Sequence, residues 1–315
     1  MFPKRISMIT LSLLIATYNR AARLIDTLES VVGQDAPAEQ WECVVVNNNS
    51  TDDTAARFAA FAAAHPQFNL RMVEEHNQGL SYARNRGIRE STGVYIAIID
   101  DDERIAPTFI SAYITLFDTV PEAVAGGGPI VPVYPSGRPA WMSRFTERPI
   151  ANTMYLGDRI REFPEGHIPG GGNMAIRRSA VKRYGVFDVS LGRVGTSLTG
   201  GEESDLFERL RLAEAKYFYT PRAVMYHIIP EEKLTEEYFS RLSYNIGVSQ
   251  LRRAVFYRRV LQTRAAECVK WAATAVIAAW FFVTLRWSKA RYLILMRCGI
   301  TRGLWSEARR GAQTV

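Results

Sequence analysis

Cysteine is scarce and badly placed for a framework: the three in this 315-residue chain, Cys43, Cys268 and Cys298, lie far apart. They match no zinc-ligand spacing and cannot build a disulfide lattice, so neither is expected and the setting is a reducing compartment. The chain also lacks an uninterrupted apolar run of the about 20 residues that a membrane span needs. Its N-terminus has Lys4 and Arg5 before an apolar run, the shape of a signal peptide. There is no small-residue cleavage site, and the run leads into Thr17-Tyr-Asn-Arg20, which fits a strand-to-helix turn, so a signal peptide is not expected. No internal repeat is visible. Acids are nearly missing from the C-terminal part: from Arg252 to Arg310 thirteen Arg or Lys stand against Glu267 and Glu307 alone, in a chain of net charge +7. That asymmetry points to an anionic surface as partner.

What is present suits a globular protein. A hydrophobic content of 47% allows one large core or two smaller ones. Residues 10–16 read as a buried strand, after which Asn19 can cap a helix with Leu24, Leu28, Val31 and Val32 at helical spacing. Residues 42–46 form a second strand ending in Asn47-Asn-Asn-Ser-Thr-Asp52, followed by an Ala-rich helix over 53–64. A short third strand at 70–73 and a helix over 77–87 deliver the chain to a fourth strand, 95–99. This alternation predicts an α/β fold with a doubly wound, mostly parallel sheet. Residues 107–120 read as helical, and the Pro- and Gly-rich stretch to about Pro149 as an irregular loop.

The fourth strand runs directly into Asp100-Asp-Asp-Glu103. Parallel sheets bind ligands at the carboxyl ends of their strands, and adjacent carboxylates suit a hard divalent cation. A solvated acidic turn before the helix is the other reading. A second acidic group, Glu202, Glu203 and Asp205, falls at a predicted helix start, where carboxylates also serve the helix dipole. Two clusters over a hundred residues apart can divide the work, one holding a metal on an anionic leaving group and the other taking a proton from a nucleophile. His227, ending a predicted strand over 224–227, reads as a core histidine or as a metal ligand.

The order of these pieces resembles the inverting family-2 glycosyltransferases, which have the GT-A fold. Six stretches carry the resemblance: Ile15-Ala-Thr-Tyr-Asn-Arg20, Val46-Asn-Asn-Asn-Ser-Thr-Asp52, Asn77-Gln-Gly with Ala83-Arg-Asn-Arg-Gly87, Ile99-Asp-Asp-Asp102, Gly172-Asn-Met-Ala-Ile-Arg177 and Glu202-Glu-Ser-Asp-Leu206. The resemblance implies a catalytic domain over 1–230, with a nucleotide-sugar half to about 104 and an acceptor half to 230. It implies that Thr17, Tyr18, Asn19, Arg20 and the turn Asn47, Asn48, Asn49 face the nucleotide, with Arg84 near the base or diphosphate. Asp100, Asp101, Gly172 and Asn173 join this donor set, and Asp102, Asp100 and His227 hold Mn2+ or Mg2+. Glu203 falls at the catalytic base, supported by Glu202 and Asp205.

Two departures stand out. Asn47 replaces the frequent Asp of the base-contacting turn, though its amide can accept the imide N–H of uracil, so a UDP-sugar is expected. The acidic pair is Glu-Glu where Glu-Asp is frequent, which lengthens the side chain at the base position. The expected reaction is a single displacement on a sugar nucleotide, with a glycan or lipid-linked acceptor and no nucleic acid. A catalytically silent sugar-nucleotide scaffold and a sugar nucleotidyltransferase are the alternatives. Residues 231–315 are expected to be helical and basic. Within them 234–253 reads as an amphipathic helix, and 271–285, fifteen residues without a charge, as a helix lying in the membrane interface. The expected location is the cytoplasmic face of the inner membrane, with a buried docking helix as the competing reading.

Overall fold

The computed structural model describes residues 9–195, 198 and 200–306. Lys4, Arg5, Glu307, Arg309 and Arg310, on which part of the charge argument rests, lie outside the described residues. The chain divides into two compact units: the first runs up to Val133 and takes in Thr153–Gly195 and Glu202–Ile228, and the second includes Tyr134–Asn152 and the chain from Ile229.

The first unit opens with strand–helix pairs: β1 (Leu11–Thr17), α1 (Ala21–Val32), β2 (Trp41–Asn47), α2 (Thr54–Ala64), β3 (Leu70–Glu74), α3 (Leu80–Glu90) and β4 (Tyr95–Asp100). Nearly every residue of β1, β2 and β4 is buried, as required of strands covered on both faces. α1 buries Leu24, Leu28 and Val31, spaced at three and four residues so that one face turns inward. There follow β5 (Glu103–Ile105), α4 (Phe109–Thr119), β6 (Ala125–Gly127) and β7 (Ile130–Val133), then, beyond the helix α5 (Arg144–Ala151), β8 (Arg161–Glu162), β9 (Met174–Arg177), α6 (Arg178–Tyr184), α7 (Glu202–Leu212), β10 (Tyr217–Tyr219) and β11 (Met225–Ile228).

The main sheet has the order β3-β2-β1-β4-β9-β6-β10-β8, and β5, β11 and β7 form a smaller one. β1 runs parallel to β2 and β4, whereas β9 is antiparallel to β4 and β6. The fold is therefore α/β with a mostly parallel central sheet, as the alternation predicts. Register puts Thr17 opposite Asn47 and Ala16 opposite Asp100, so β1, β2 and β4 end at one level, where chains in such sheets present their ligand-binding loops.

The stretch read as irregular to about Pro149 is not uniformly so. It contains β6, β7 and the eight-residue α5, whose Ser143 and Thr146 form a reciprocal capping box and whose Asn152 closes it in the left-handed conformation. Two good caps hold this helix although Pro149 removes one internal donor.

The second unit is helical: α5, α8 (Glu236–Phe256), α9 (Val260–Val283) and α10 (Trp287–Leu304). Its core includes Phe239, Leu242, Ala278, Phe281, Leu293, Met296 and Ile300, and Trp141 stacks on Tyr292 with ring centroids 4.1 Å apart. The predicted charge-free helix 271–285 overlaps the C-terminal part of a longer one, for α9 has 24 residues. Glu267, which breaks the apolar run in the sequence, is fully buried. Both its oxygens accept from Arg297 Nη1 at 3.1 and 2.9 Å, and Thr301 Oγ1 donates to Oε1 at 2.9 Å. Trp271 Nε1 in turn donates to Thr301 at 2.8 Å. Leu261, Val269, Val276, Trp280 and Val283 of α9 are exposed. Among the described residues α9 is the one helix long and apolar enough to cross a membrane, by length and composition alone.

Candidate active site

The site lies in the first unit and is built around Arg84. α3 is a polar helix, yet it buries Ala83, Arg84 and Asn85. Asn85 pairs with both backbone groups of Phe187, and the Arg84 guanidinium lies 5.6 Å from the Phe187 ring. Arg84 Nη1 donates to Glu203 Oε1 at 2.8 Å and to Glu202 Oε1 at 3.1 Å. Nη2 donates to Asp100 Oδ1 at 2.9 Å and to the Gly171 carbonyl at 3.3 Å. The Arg84 side chain is 1% exposed, against 35% for Asp100 and 20% for Glu203. The two carboxylates therefore reach solvent while the guanidinium stands behind them. Burial works against its charge, but Asp100, Glu203 and Glu202 together hold it above the usual arginine range. Arg84 is thus enclosed by protein acids, one of them Asp100 of the implied donor set.

Glu202 and Glu203 open α7, whose first turn is acidic as helix dipoles favour. Burial pushes the Glu202 carboxyl up to about 8, Glu203 adds to the rise and Arg84 opposes it. Asp205 accepts from Arg209 Nε at 3.0 Å, one turn along the same helix.

The four acids after β4 part company. Asp101 is buried and accepts from Thr17 Oγ1 and Arg20 Nη1, both at 2.8 Å. Burial pushes it up to about 6, with Arg20 opposing and Asp102 adding. Thr17 and Asp101, both expected at the donor, are bonded to each other in the interior. Asp102 lies 3.6 Å from Arg20. Glu103 Oε2 accepts the Asp100 backbone N–H at 2.8 Å, and burial, Asp100 and Asp102 drive this carboxyl well above its usual range. Glu103, read from the sequence with Asp100 to Asp102 as a cation-suited edge, is buried and turned onto the backbone of Asp100. Side chains at Gly171 and Gly172 would overlap the carboxylates of Glu203 and Glu103 respectively, so the glycine run is required by close approach.

The asparagine turns are tied to one another. Asn47 Nδ2 donates to Glu74 and its Oδ1 accepts from Ser50 N, both at 3.1 Å. Asn48 is buried, donating to the carbonyls of Glu75 and Asn77 and accepting from Gly79 N, all at 2.8 Å. Asn19 (φ 51°) and Asn49 (φ 63°) take the left-handed conformation, which asparagine tolerates. Asn19 Oδ1 accepts from Thr51 N at 2.7 Å, and Asn49 Nδ2 donates to the His76 carbonyl at 2.8 Å. Tyr18 between them is exposed. Asn48 is thus a loop clamp, Asn47 is buried at the end of β2, and Tyr18 is exposed.

Asn173 also departs from the donor-contacting place expected for it. It is fully buried, its Nδ2 donates to the Pro129 and Ala223 carbonyls at 2.9 Å, and its Oδ1 accepts from Tyr113. It locks the start of β9 in the interior. His227 is half-buried on β11, directly opposite Glu103 in the ladder. Among the described residues no three carboxylate, imidazole or thiolate groups converge to hold a metal, so Asp100, Asp102 and His227 do not form a ready cage. The two aspartates at the sheet edge do fit a cation that shares its oxygen ligands with phosphate, since Mg2+-type sites need only one or two carboxylates.

A sheet of this order, with acids at its carboxyl edge and a second acidic pair on a following helix, defines a sugar-nucleotide transferase. The chain matches the family model for glycosyl transferase family 2 over residues 12–185, more than half its length, and belongs to that family. It is 26% identical over 239 residues to the succinoglycan biosynthesis protein ExoM of Rhizobium meliloti, covering 74% of this chain and 71% of ExoM. It is 25% identical over 213 residues to the glucosyl-dolichyl phosphate glucuronosyltransferase of Haloferax volcanii, covering 63% of this chain and 62% of that one. The mannosyltransferase PcManGT of Pyrobaculum calidifontis, solved with GDP-Man and Mn2+, superposes with TM-score 0.60 at 19% identity, covering 94% and 87% of the two chains. S. aureus TarS 1-349 with UDP-GlcNAc gives TM-score 0.55 at 16% identity, covering 93% and 91%. The fold is GT-A, and the protein is a glycosyltransferase.

Proposed function

We propose that the protein is an inverting glycosyltransferase that moves a sugar from a nucleoside-diphosphate donor, a UDP-sugar, to a hydroxyl of a lipid-linked or cell-surface glycan. The observation that carries this reading is the pairing of Glu203 with Asp100 through one buried guanidinium, which sets a base candidate beside the acids of the sheet edge. Glu203 takes the acceptor hydroxyl proton, the freed oxygen bonds to the anomeric carbon, and the sugar–phosphate bond breaks with its electron pair leaving on the nucleoside diphosphate. Attack from the opposite face inverts that carbon. Asn47, the last residue of β2, offers an amide acceptor to the uracil imide N–H. Asp102, with Asp100 and His227 nearby, would hold Mn2+ or Mg2+, which when bound neutralises charge on the diphosphate. Solved relatives carry GDP-Man with Mn2+ and UDP-GlcNAc, and the archaeal relative's name includes a dolichyl phosphate-linked glucose.

The decisive experiment incubates purified protein with a panel of nucleotide sugars and Mn2+ or Mg2+ and detects released nucleoside diphosphate. Metal-dependent release from one donor is expected. Pyrophosphate release would make it a nucleotidyltransferase, and binding without turnover a scaffold.

The membrane reading is part of the same proposal. The exposed Val276, Trp280, Phe282 and Val283 of α9 lie between Lys270 on one side and Arg286, Lys289 and Arg291 on the other, a pattern suited to the anionic cytoplasmic face of the inner membrane. The protein should sediment with anionic vesicles at low salt and come off, at least in part, at high salt. Release by detergent alone would mean that α9 spans the bilayer.

A further inference from the structure

We propose that the helical unit grips an anionic leaflet at two points, the C-terminal half of α9 and the α8–α9 turn, so that α9 lies along the surface with both ends in one leaflet. The inference rests on the membrane reading above and adds to it a second anchor and an orientation. α9 buries Glu267, Thr274, Ala278 and Phe281 along one side. On the opposite side Ala265, Val269, Ala272, Val276, Ala279 and Val283 recur at four and three residues and are all exposed, an apolar stripe along most of the helix. A helix face that met only water would carry polar groups there.

Each end of the stripe runs into an exposed apolar cluster set among cations. At the α8–α9 turn these are Val255, Phe256 and Leu261, the last two 70% and 83% exposed, beside the exposed Arg252 and Arg258. At the α9–α10 turn they are Leu285 and Trp287, beside Arg286 and Lys289. Apolar side chains ringed by basic ones match the acyl boundary and the anionic headgroups of a lipid leaflet, whereas an apolar protein partner would strip the cations of water without pairing them. The charges also set the direction of α9. Its 24 residues extend about 36 Å, so a span would put the two basic turns on opposite sides of the bilayer, against the bias that keeps Arg and Lys on the cytoplasmic side. A span would also leave the exposed Lys270 near mid-depth in hydrocarbon. Lying flat removes both conflicts. Lys270 is one turn from the buried Glu267 and Thr274, which puts it on the flank that faces the headgroups when the stripe faces down.

Two measurements on the full chain test this. The first is partition onto phosphatidylcholine vesicles that contain phosphatidylglycerol. Phe256→Ser with Leu261→Ser should weaken it at least about tenfold, and so should Val276→Ser with Val283→Ser, since each pair takes two apolar side chains out of the lipid. All four positions are exposed, so melting midpoints should match the parent chain. The second measurement reads depth from spin labels on Phe256→Cys, Ala272→Cys and Val283→Cys, with Cys268 and Cys298 replaced by serine and the buried Cys43 kept. All three labels should sit roughly 5–10 Å into the headgroup and acyl boundary. A label at position 272 about 15 Å down, with the one at 256 in water, would overturn the inference in favour of a span. Parent-like partition of the Phe256 and Leu261 variant would overturn the second anchor and leave attachment through the C-terminal half of α9 alone. A parent chain that ignores the vesicles, with every label in water, would remove the membrane reading itself and leave the stripe to a second copy of this chain, so the two failures are told apart.

Discussion

Two arginines, Arg84 buried in the first unit and Arg297 partly buried in the second, show how differently this chain treats charge. Arg297 meets one carboxylate, Glu267, and the remaining capacity of that acid is met by Thr301, itself bonded to Trp271. Arg84 meets three, Asp100, Glu202 and Glu203, and burial pushes the Glu202 carboxyl up to about 8. A matched pair with its lone pairs satisfied is what a helical core tolerates. An over-subscribed guanidinium beside solvent-reaching acids has no packing rationale, and perturbed carboxyls of this kind gather at functional sites.

Substitutions that should separate the two networks begin with the largest effect. Glu203→Gln should lower turnover by about 10²- to 10⁴-fold, the usual worth of a positioned base, with the melting midpoint close to that of the parent protein because Arg84 keeps Asp100 and Glu202. Steady-state assays with a melting curve check both parts, and loss of folding with intact specific activity would reverse the comparison. Arg297→Met should act the opposite way. It leaves Glu267 buried without its counter-charge, which costs about 3–5 kcal/mol of stability, while specific activity of the folded fraction is unchanged. Replacing Glu267 and Arg297 together with apolar residues should recover most of that loss in chemical denaturation. Asp102→Asn comes next: metal-dependent nucleoside diphosphate affinity should fall by roughly 10- to 100-fold, since a neutral amide is a poorer ligand for a hard cation. Calorimetry with and without Mn2+ reads this directly.

How much of this was legible depended on whether a residue's partners are near it in sequence. β1, β2 and β4 are buried on both faces, so their apolar runs announce them, and the acids at the end of β4 follow from the same stretch. The start of α7 was readable because helix starts favour carboxylates. Arg84 was named through the family resemblance, but its partners were not legible, for its acids lie up to 119 residues away. Asn173 follows three glycines and looks like part of a ligand loop, yet its amide serves the carbonyls of Pro129 and Ala223, 44 and 50 residues distant. Glu267 misled in the same way: it reads as a break in an apolar helix, until Arg297, 30 residues on, neutralises it. The antiparallel direction of β9 is likewise set by pairing with β4 and β6 and by nothing within its own four residues.

The smallest expected effect concerns a carboxylate of a third kind, supplied with more donors than acids compete for. Glu42 on β2 is buried, and its Oε1 accepts from Ser12 Oγ and Thr92 N, both at 2.6 Å, and from Thr92 Oγ1 at 2.7 Å. Arg71 Nε donates to Oε2 at 3.1 Å. Burial alone would raise this carboxyl, but the bonds from Ser12 and Thr92 and the charge of Arg71 outweigh it and hold it below its usual value of 4.5. Glu42 therefore ties β2 to β1 and to the turn before β4 in its ionised form. A carboxyl depressed in the folded state stabilises at every pH above its unfolded value and loses that contribution as pH falls through the folded one. Glu42→Gln keeps an oxygen acceptor but loses the charge, and should cost about 1 kcal/mol at pH 7. The gap between parent and variant in urea denaturation should stay constant from pH 7 down to the unfolded value of 4.5 and close below it. A gap that widened on acidification would mean that Glu42 is held as the protonated acid.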